Sequence, residues 1–164
     1  MKQMLTKDEK YMLEAIKEAK KAESKDEVPV GAIIVLNDKI IARAHNLKEN
    51  SQTATNHAEV LAINKANKKL SSWRLIDATM YVTLEPCLMC AGAIIQSRIK
   101  KVVYGAKDLK AGAIESIINI NDIKTINHHI EVTRGILEEQ CSSIISNYFR
   151  NKRLEKIKWK RKIY

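Results

Sequence analysis

Residues 78–106 read strand, helix, strand, and no other stretch of the chain restricts its fold as tightly. "ATMYVTLE" (78–85) and "KKVVYGA" (100–106) are rich in the β-branched and aromatic residues that suit strands. The segment between them begins a helix near Pro86–Leu88 and ends it near Ser97. Two strands joined by a crossover of this length pair in parallel, so the chain contains a βαβ unit.

The flanking sequence supplies further layers. Thr6 and Glu9 have the spacing of a capping box, followed by Tyr11, Met12, Ala15, Ile16, Ala19 and Ala22 at helical intervals. "VPVGAIIVL" (28–36) predicts a strand buried on both faces. Asn37-Asp38 is a two-residue hairpin turn, after which "KIIARAH" returns as a second strand. Residues 46–56 are a polar loop. A helix follows over about 57–69, with Val60, Leu61 and Ala62 inward. A short helix near 113–119 and a strand near 129–134 are expected next. The last helix begins near Leu137, with Cys141, Ile144, Ile145, Tyr148 and Phe149 at core spacing. The expected fold is an α/β, three-layer α/β/α sandwich: a central mixed five-stranded sheet with helices on both faces. At 164 residues, with no break in composition, one domain over 1–164 is expected.

The N-terminus lacks a run of signal-peptide length, and no stretch approaches the roughly 20 apolar residues of a membrane span. Three cysteines, an odd number, argue against a disulfide framework and for a reducing cytoplasm. The net charge of +10 is concentrated: residues 150–164 carry eight Lys/Arg and one Glu. Such a basic tail fits either a solvated helix end or a surface for a polyanion.

Cys87 and Cys90 admit three readings. A redox pair at a helix start is one, but both prolines, Pro29 and Pro86, precede the pair, leaving no later proline to face it. A structural zinc site is another, and it lacks a clear fourth donor, since Cys141 sits at a core position. The third is a catalytic zinc site with three protein ligands and an open position for water. "NHAEV" (56–60) supplies what that reading needs: His57 at a helix start as a ligand, and Glu59 as a proton-transfer group. HxE followed about thirty residues later by PCxxC is the zinc deaminase signature. In that chemistry the metal acidifies a water, the glutamate moves its protons, and ammonia leaves.

On these motifs, together with "EVPVGAIIV", "SWRLIDATMYVTLEPCLMCAGAIIQSRIKKVVYGAKDLKAGA", "NHHIEVTRGIL" and "YFRNKR", the chain resembles the bacterial tRNA-specific adenosine deaminases, within the cytidine deaminase-like superfamily. The resemblance implies one Zn²⁺ per chain held by His57, Cys87 and Cys90, with Glu59 catalytic. It implies that Asn46 reads the purine edge and that Pro29, Val30, Ala58, Leu84 and Pro86 line the base pocket. Asp108, Asn127, His128, Phe149 and Arg150 would hold neighbouring anticodon-loop nucleotides. It further implies a tRNA anticodon stem-loop as substrate, inosine at the wobble position as product, and a homodimer; no membrane association is expected, since no apolar stretch is long enough to span one. Two departures stand out: "ATN" (54–56) before HAE, and "AIES" (113–116), which places Glu115 near the RNA-facing side. The competing readings are a small-molecule deaminase and a non-catalytic, zinc-stabilised RNA-binding subunit. The presence of Glu59 argues against the second.

Overall fold

The computed structural model describes residues 3–163. Strands β1 (Gly31–Leu36), β2 (Lys39–His45), β3 (Thr79–Leu84), β4 (Lys101–Ala106) and β5 (Glu131–Thr133) form one sheet in the order β2-β1-β3-β4-β5. β1 runs antiparallel to β2 and β3, while β3, β4 and β5 are mutually parallel. The helices are α1 (Lys7–Ser24), α2 (Lys48–Ser51), α3 (Ala58–Leu70), α4 (Leu88–Gln96) and α5 (Glu138–Ile163).

The local chemistry is the expected one at several points. Thr6 caps α1: its hydroxyl accepts the Glu9 N–H, and the Glu9 carboxylate accepts the Thr6 N–H. Asn37 and Asp38 both hold positive φ, 50° and 59°, the geometry that lets a two-residue turn follow strand twist. The α4 crossover joins parallel β3 and β4.

Two apolar layers sandwich the sheet. Ala32, Ile34, Met80, Val82, Val102 and Tyr104 meet α3 and α4 through Ala62, Ala66, Ala91 and Ile94. On the other face Ile33, Val35, Tyr81 and Val103 meet Met12, Ala15 and Ile16 of α1 and Cys141 of α5. Alternation along each strand thus feeds both layers, so β1 is buried along most of its length. Gly31 lets α1 lie directly on the sheet, since a Cβ there would fall 2.0 Å from the Ala15 carbonyl oxygen.

Several expectations change. Residues 113–119 are not a helix; they form successive turns, followed by a 3₁₀ turn at Ile120–Asp122. The polar loop after β2 contains the short α2. On α3 the inward residues are Ala58, Glu59, Ala62, Ile63 and Ala66, with Val60 and Leu61 only half-buried. Phe149 is 43% exposed, not core, while Cys141 is buried and Tyr148 half-buried. α5 carries the basic segment as continuous helix to Ile163. It is moored where Lys152 pairs with Asp26 at 2.5 Å and the Tyr148 hydroxyl donates to the Asp26 carbonyl. Among the described residues no helix is long and apolar enough to cross a membrane.

Candidate active site

The site lies at the C-terminal ends of β3 and β4, where the N-termini of α3 and α4 converge. His57 is the N-cap of α3 and Cys87 the N-cap of α4, both with extended backbone angles. Neither side chain caps its own helix, so both are free to point into the space between the two N-termini. Cys90 follows one turn into α4, fully buried.

His57 Nδ1 is 3.7 Å from Cys87 Sγ and 3.6 Å from Cys90 Sγ, and the three donor atoms lie within 4.8 Å of one another. This spacing fits a metal. Bonds of about 2.3 Å to sulfur and about 2.0–2.1 Å to nitrogen, at tetrahedral angles, separate S and N by roughly 3.6 Å. Electrostatics prepare the same set. The Cys90 thiol, and then the His57 ring, favour Cys87 as thiolate and pull its pKa well below the usual thiol value. The α4 N-terminus adds its positive end. The Cys87 neighbour and burial push the Cys90 thiol up. The three cysteines are free, so Cys87 and Cys90 are not a disulfide.

Glu59 is 3% exposed, and among the described residues its Oε2 has no hydrogen-bond partner. Burial is the main cause that raises its pKa, to about 7. A carboxyl kept near neutrality beside a metal-donor cluster can accept and return protons at physiological pH. A cleft opens over this group, lined by His57, Glu59, Cys87 and by Val28, Val30, Asn46, Ala58, Leu84, Asp108 and Ala111, among others. Asn46 is nearly buried at its rim. Its Nδ2 donates to the Val28 carbonyl and its Oδ1 accepts the Lys48 N–H.

A second, larger depression adjoins the first and shares Val28, Leu84, Asp108 and Ala111 with it. Phe149, Arg150, Arg153, Lys107 and Lys110 line it, a cationic wall carrying one exposed aromatic ring.

The MafB19-like deaminase family model matches residues 6–153. A tRNA-specific adenosine deaminase of Bacillus subtilis (strain 168) is 55% identical over 152 residues, covering 93% of this chain and 94% of the relative. This chain belongs to the bacterial tRNA-specific adenosine deaminase family. A second member, from Haemophilus influenzae (strain ATCC 51907 / DSM 11121 / KW20 / Rd), is 47% identical over 150 residues, covering 91% of this chain and 87% of that one. A solved structure from a study of A-to-I editing by tRNA:A34 deaminases at the wobble position superposes with a TM-score of 0.80 at 41% identity, over 82% of this chain and 99% of that one.

Among the family-matched positions, His57, Glu59, Cys87, Asn46, Val30, Ala58 and Leu84 share the first cleft, with Cys90 in the donor cluster beneath it. Asp108 stands on the boundary of the two depressions, and Phe149 and Arg150 line the second. Pro29 and Pro86 are buried behind the lining; Pro86 contributes its carbonyl to the Ala113 N–H. Asn127 and His128 line neither depression. The His128 ring is 2.6 Å from the Ile99 carbonyl, beside the start of β4 and at the opposite end of the sheet. Sequence reasoning misses Val28, Lys48, Glu85 and Ala111 as lining residues. For Glu85 the signal is present: an acid closing an otherwise apolar strand needs a buried partner.

Proposed function

We propose that this protein is a zinc-dependent hydrolase that converts adenosine to inosine at the wobble position of a tRNA anticodon loop. One observation carries the reading: the unpartnered Oε2 of buried Glu59 stands in the same cleft as a His57–Cys87–Cys90 donor set with metal-ligand spacing. The identity and coverage of the curated relatives support the choice of substrate.

His57, Cys87 and Cys90 would hold the ion, leaving a fourth position for water. When bound, zinc acidifies a coordinated water so that hydroxide is available near neutral pH. The remaining work falls to the chain's own groups. Oxygen from water adds to adenine C6. Glu59 takes a proton at Oε2, delivers it to N1, and then transfers the second to the departing amino group, so that adenosine and water become inosine and ammonia. Val28, Val30 and Leu84 offer apolar walls to the base, and Asn46 offers a polar edge.

An anticodon loop presents unstacked bases, so extruding one costs little. The second depression, with Phe149 beside Arg150 and Arg153, suits a stacked neighbour and its phosphate. Leu88, Met89, Ile117 and Ile118 expose an apolar surface beside Cys87, which fits a second copy of the chain in a homodimer. Free thiols at all three cysteines suit the cytoplasm. The deciding experiment is incubation with total tRNA followed by nucleoside analysis. Inosine should appear in tRNA only with the enzyme, and its absence would overturn the assignment.

A further inference from the structure

Glu85 has no role in the chemistry above, yet it is 1% exposed and sits two residues before Cys87. Its carboxylate is surrounded by donors alone. Oε2 accepts the N–H groups of Ile114 (3.2 Å), Glu115 (3.0 Å) and Ser116 (3.0 Å). Oε1 accepts the Asp108 N–H at 3.3 Å and the Ser116 hydroxyl. One buried charge therefore gathers both ends of the segment 108–116. At Gly112 the segment passes so close that a Cβ would fall 2.4 Å from the Glu85 carboxylate carbon and 2.6 Å from the Asp108 carbonyl oxygen. Within the loop, the Asp108 carboxylate accepts the Lys110 and Ala111 N–H groups at 3.1 Å each, and Gly112 N–H donates to the Asp108 carbonyl.

The segment so held is the wall between the two depressions. Asp108 and Ala111 face both, and Lys107 and Lys110 face the outer one. We infer that Glu85 is a positioning residue for substrate selection: its carboxylate fixes the 108–116 loop as the surface against which the polynucleotide flanking the reacting base is seated. This inference deepens the proposed function and rests on it. A carboxylate is required because every neighbour donates. A glutamine amide would turn its N–H₂ toward the Asp108 N–H in one orientation, losing that bond while the Ser116 hydroxyl reverses to accept, and toward three backbone N–H groups in the other.

The test uses Glu85→Gln in the full chain, with Ser116→Ala as a milder variant should the first not fold. Two readouts are taken. Limited trypsin digestion should cut after Lys107 and Lys110 at least about tenfold faster in the variant, while cleavage elsewhere is unchanged, because the loop opens locally. With an anticodon stem-loop as substrate, KM should rise about tenfold or more and kcat should change less than about threefold, because the flanking surface is loosened and Glu59 is not. Unchanged proteolysis of the 107–110 segment overturns the inference whatever the substrate. Faster proteolysis with unchanged KM overturns the positioning role and leaves Glu85 a purely structural brace. A fall in kcat at constant KM also overturns it, since the carboxylate would then serve the chemistry. If the wild-type protein itself does not deaminate the stem-loop, the proposed function fails and with it substrate selection, while the proteolysis readout still decides whether Glu85 holds the loop.

Discussion

His57 Nδ1 stands 3.6 Å from Cys90 Sγ, with no disulfide and no cap bond to divert either side chain. That spacing is the one that two ligands of a single tetrahedral ion take. The purified protein should contain about one zinc per chain. Cys90→Ser should lower metal content and the thermal midpoint together, because an ion that binds only the folded state stabilises it by mass action. Elemental analysis and a melting curve with and without chelator measure both. Metal-free active enzyme would rule the site out.

Glu59 should be indispensable to turnover and dispensable to folding. The near-isosteric Glu59→Gln removes proton transfer but keeps volume, and it relieves a buried carboxyl whose Oε2 has no partner. Activity should fall at least about 10²-fold. Metal content should stay at the wild-type level, and the denaturation midpoint should be no lower than wild type. Activity within about tenfold of wild type by the same yardstick would mean another group moves the protons.

The packing of α1 on β1 predicts the most damaging small substitution. A Cβ on Gly31 would meet the Ala15 carbonyl at 2.0 Å and the Ala19 nitrogen at 2.4 Å. Both are helix backbone, so no side-chain rotation relieves the clash. Gly31→Ala should cost about 3 kcal/mol, the upper range for overpacking a close-packed interior. Gly92→Ala is the control, because a Cβ there meets nothing within 4 Å and alanine favours helix. Urea denaturation of the two variants should give shifts of opposite sign.

Much of this is legible in the chain, and the failures arise where contacts distant in sequence decide the outcome. Local chemistry announces the Asn37-Asp38 turn, the Thr6 cap, and the two helix starts at His57 and Cys87, since each is set by residues within a few positions. Residues 113–119 carry apolar spacing that suits a helix. Their backbone N–H groups at 114–116 instead converge on Glu85, about thirty residues earlier, and a tertiary carboxylate overrides local preference. Spacing alone puts Phe149 in the core. Ile144, Ile145 and Tyr148 take the half-buried face, and the ring turns toward the second depression.

Acid should loosen the loop that carries Asn46. Burial raises the Glu27 pKa, but the Asn50 N–H and side-chain amide and the Glu49 N–H outweigh it, so its carboxyl titrates below the ordinary glutamate value. A group whose pKa is lowered by folding adds stability above its unfolded value, and that stability is lost as pH falls through the folded value. Glu27→Gln should therefore cost about 1–3 kcal/mol at pH 7. The wild-type and variant stability curves should converge below about pH 4. Parallel curves through the acid limb would show that the charge is not what holds the loop.

The basic end of α5 should bear on RNA and not on the metal. Deleting residues 154–164 removes Lys156, Lys158, Lys160, Arg161 and Lys162 but leaves the Lys152–Asp26 mooring and the second depression intact. The side chains of 154–162 are exposed, Trp159 at 65%. Each phosphate left without its cationic partner should flatten the dependence of log affinity on log salt by about 0.7–0.9. The truncated chain should bind an anticodon stem-loop more weakly at low salt, converge with the full chain at high salt, and retain its metal. Its preference for the stem-loop over free adenosine should persist, because Asp108, Phe149 and Arg150 remain to orient the nucleotides around the reacting base. An unchanged salt slope would make the tail a solvated helix end. Equal efficiency of the full chain on free adenosine and on the stem-loop would show that the reacting base alone is recognised.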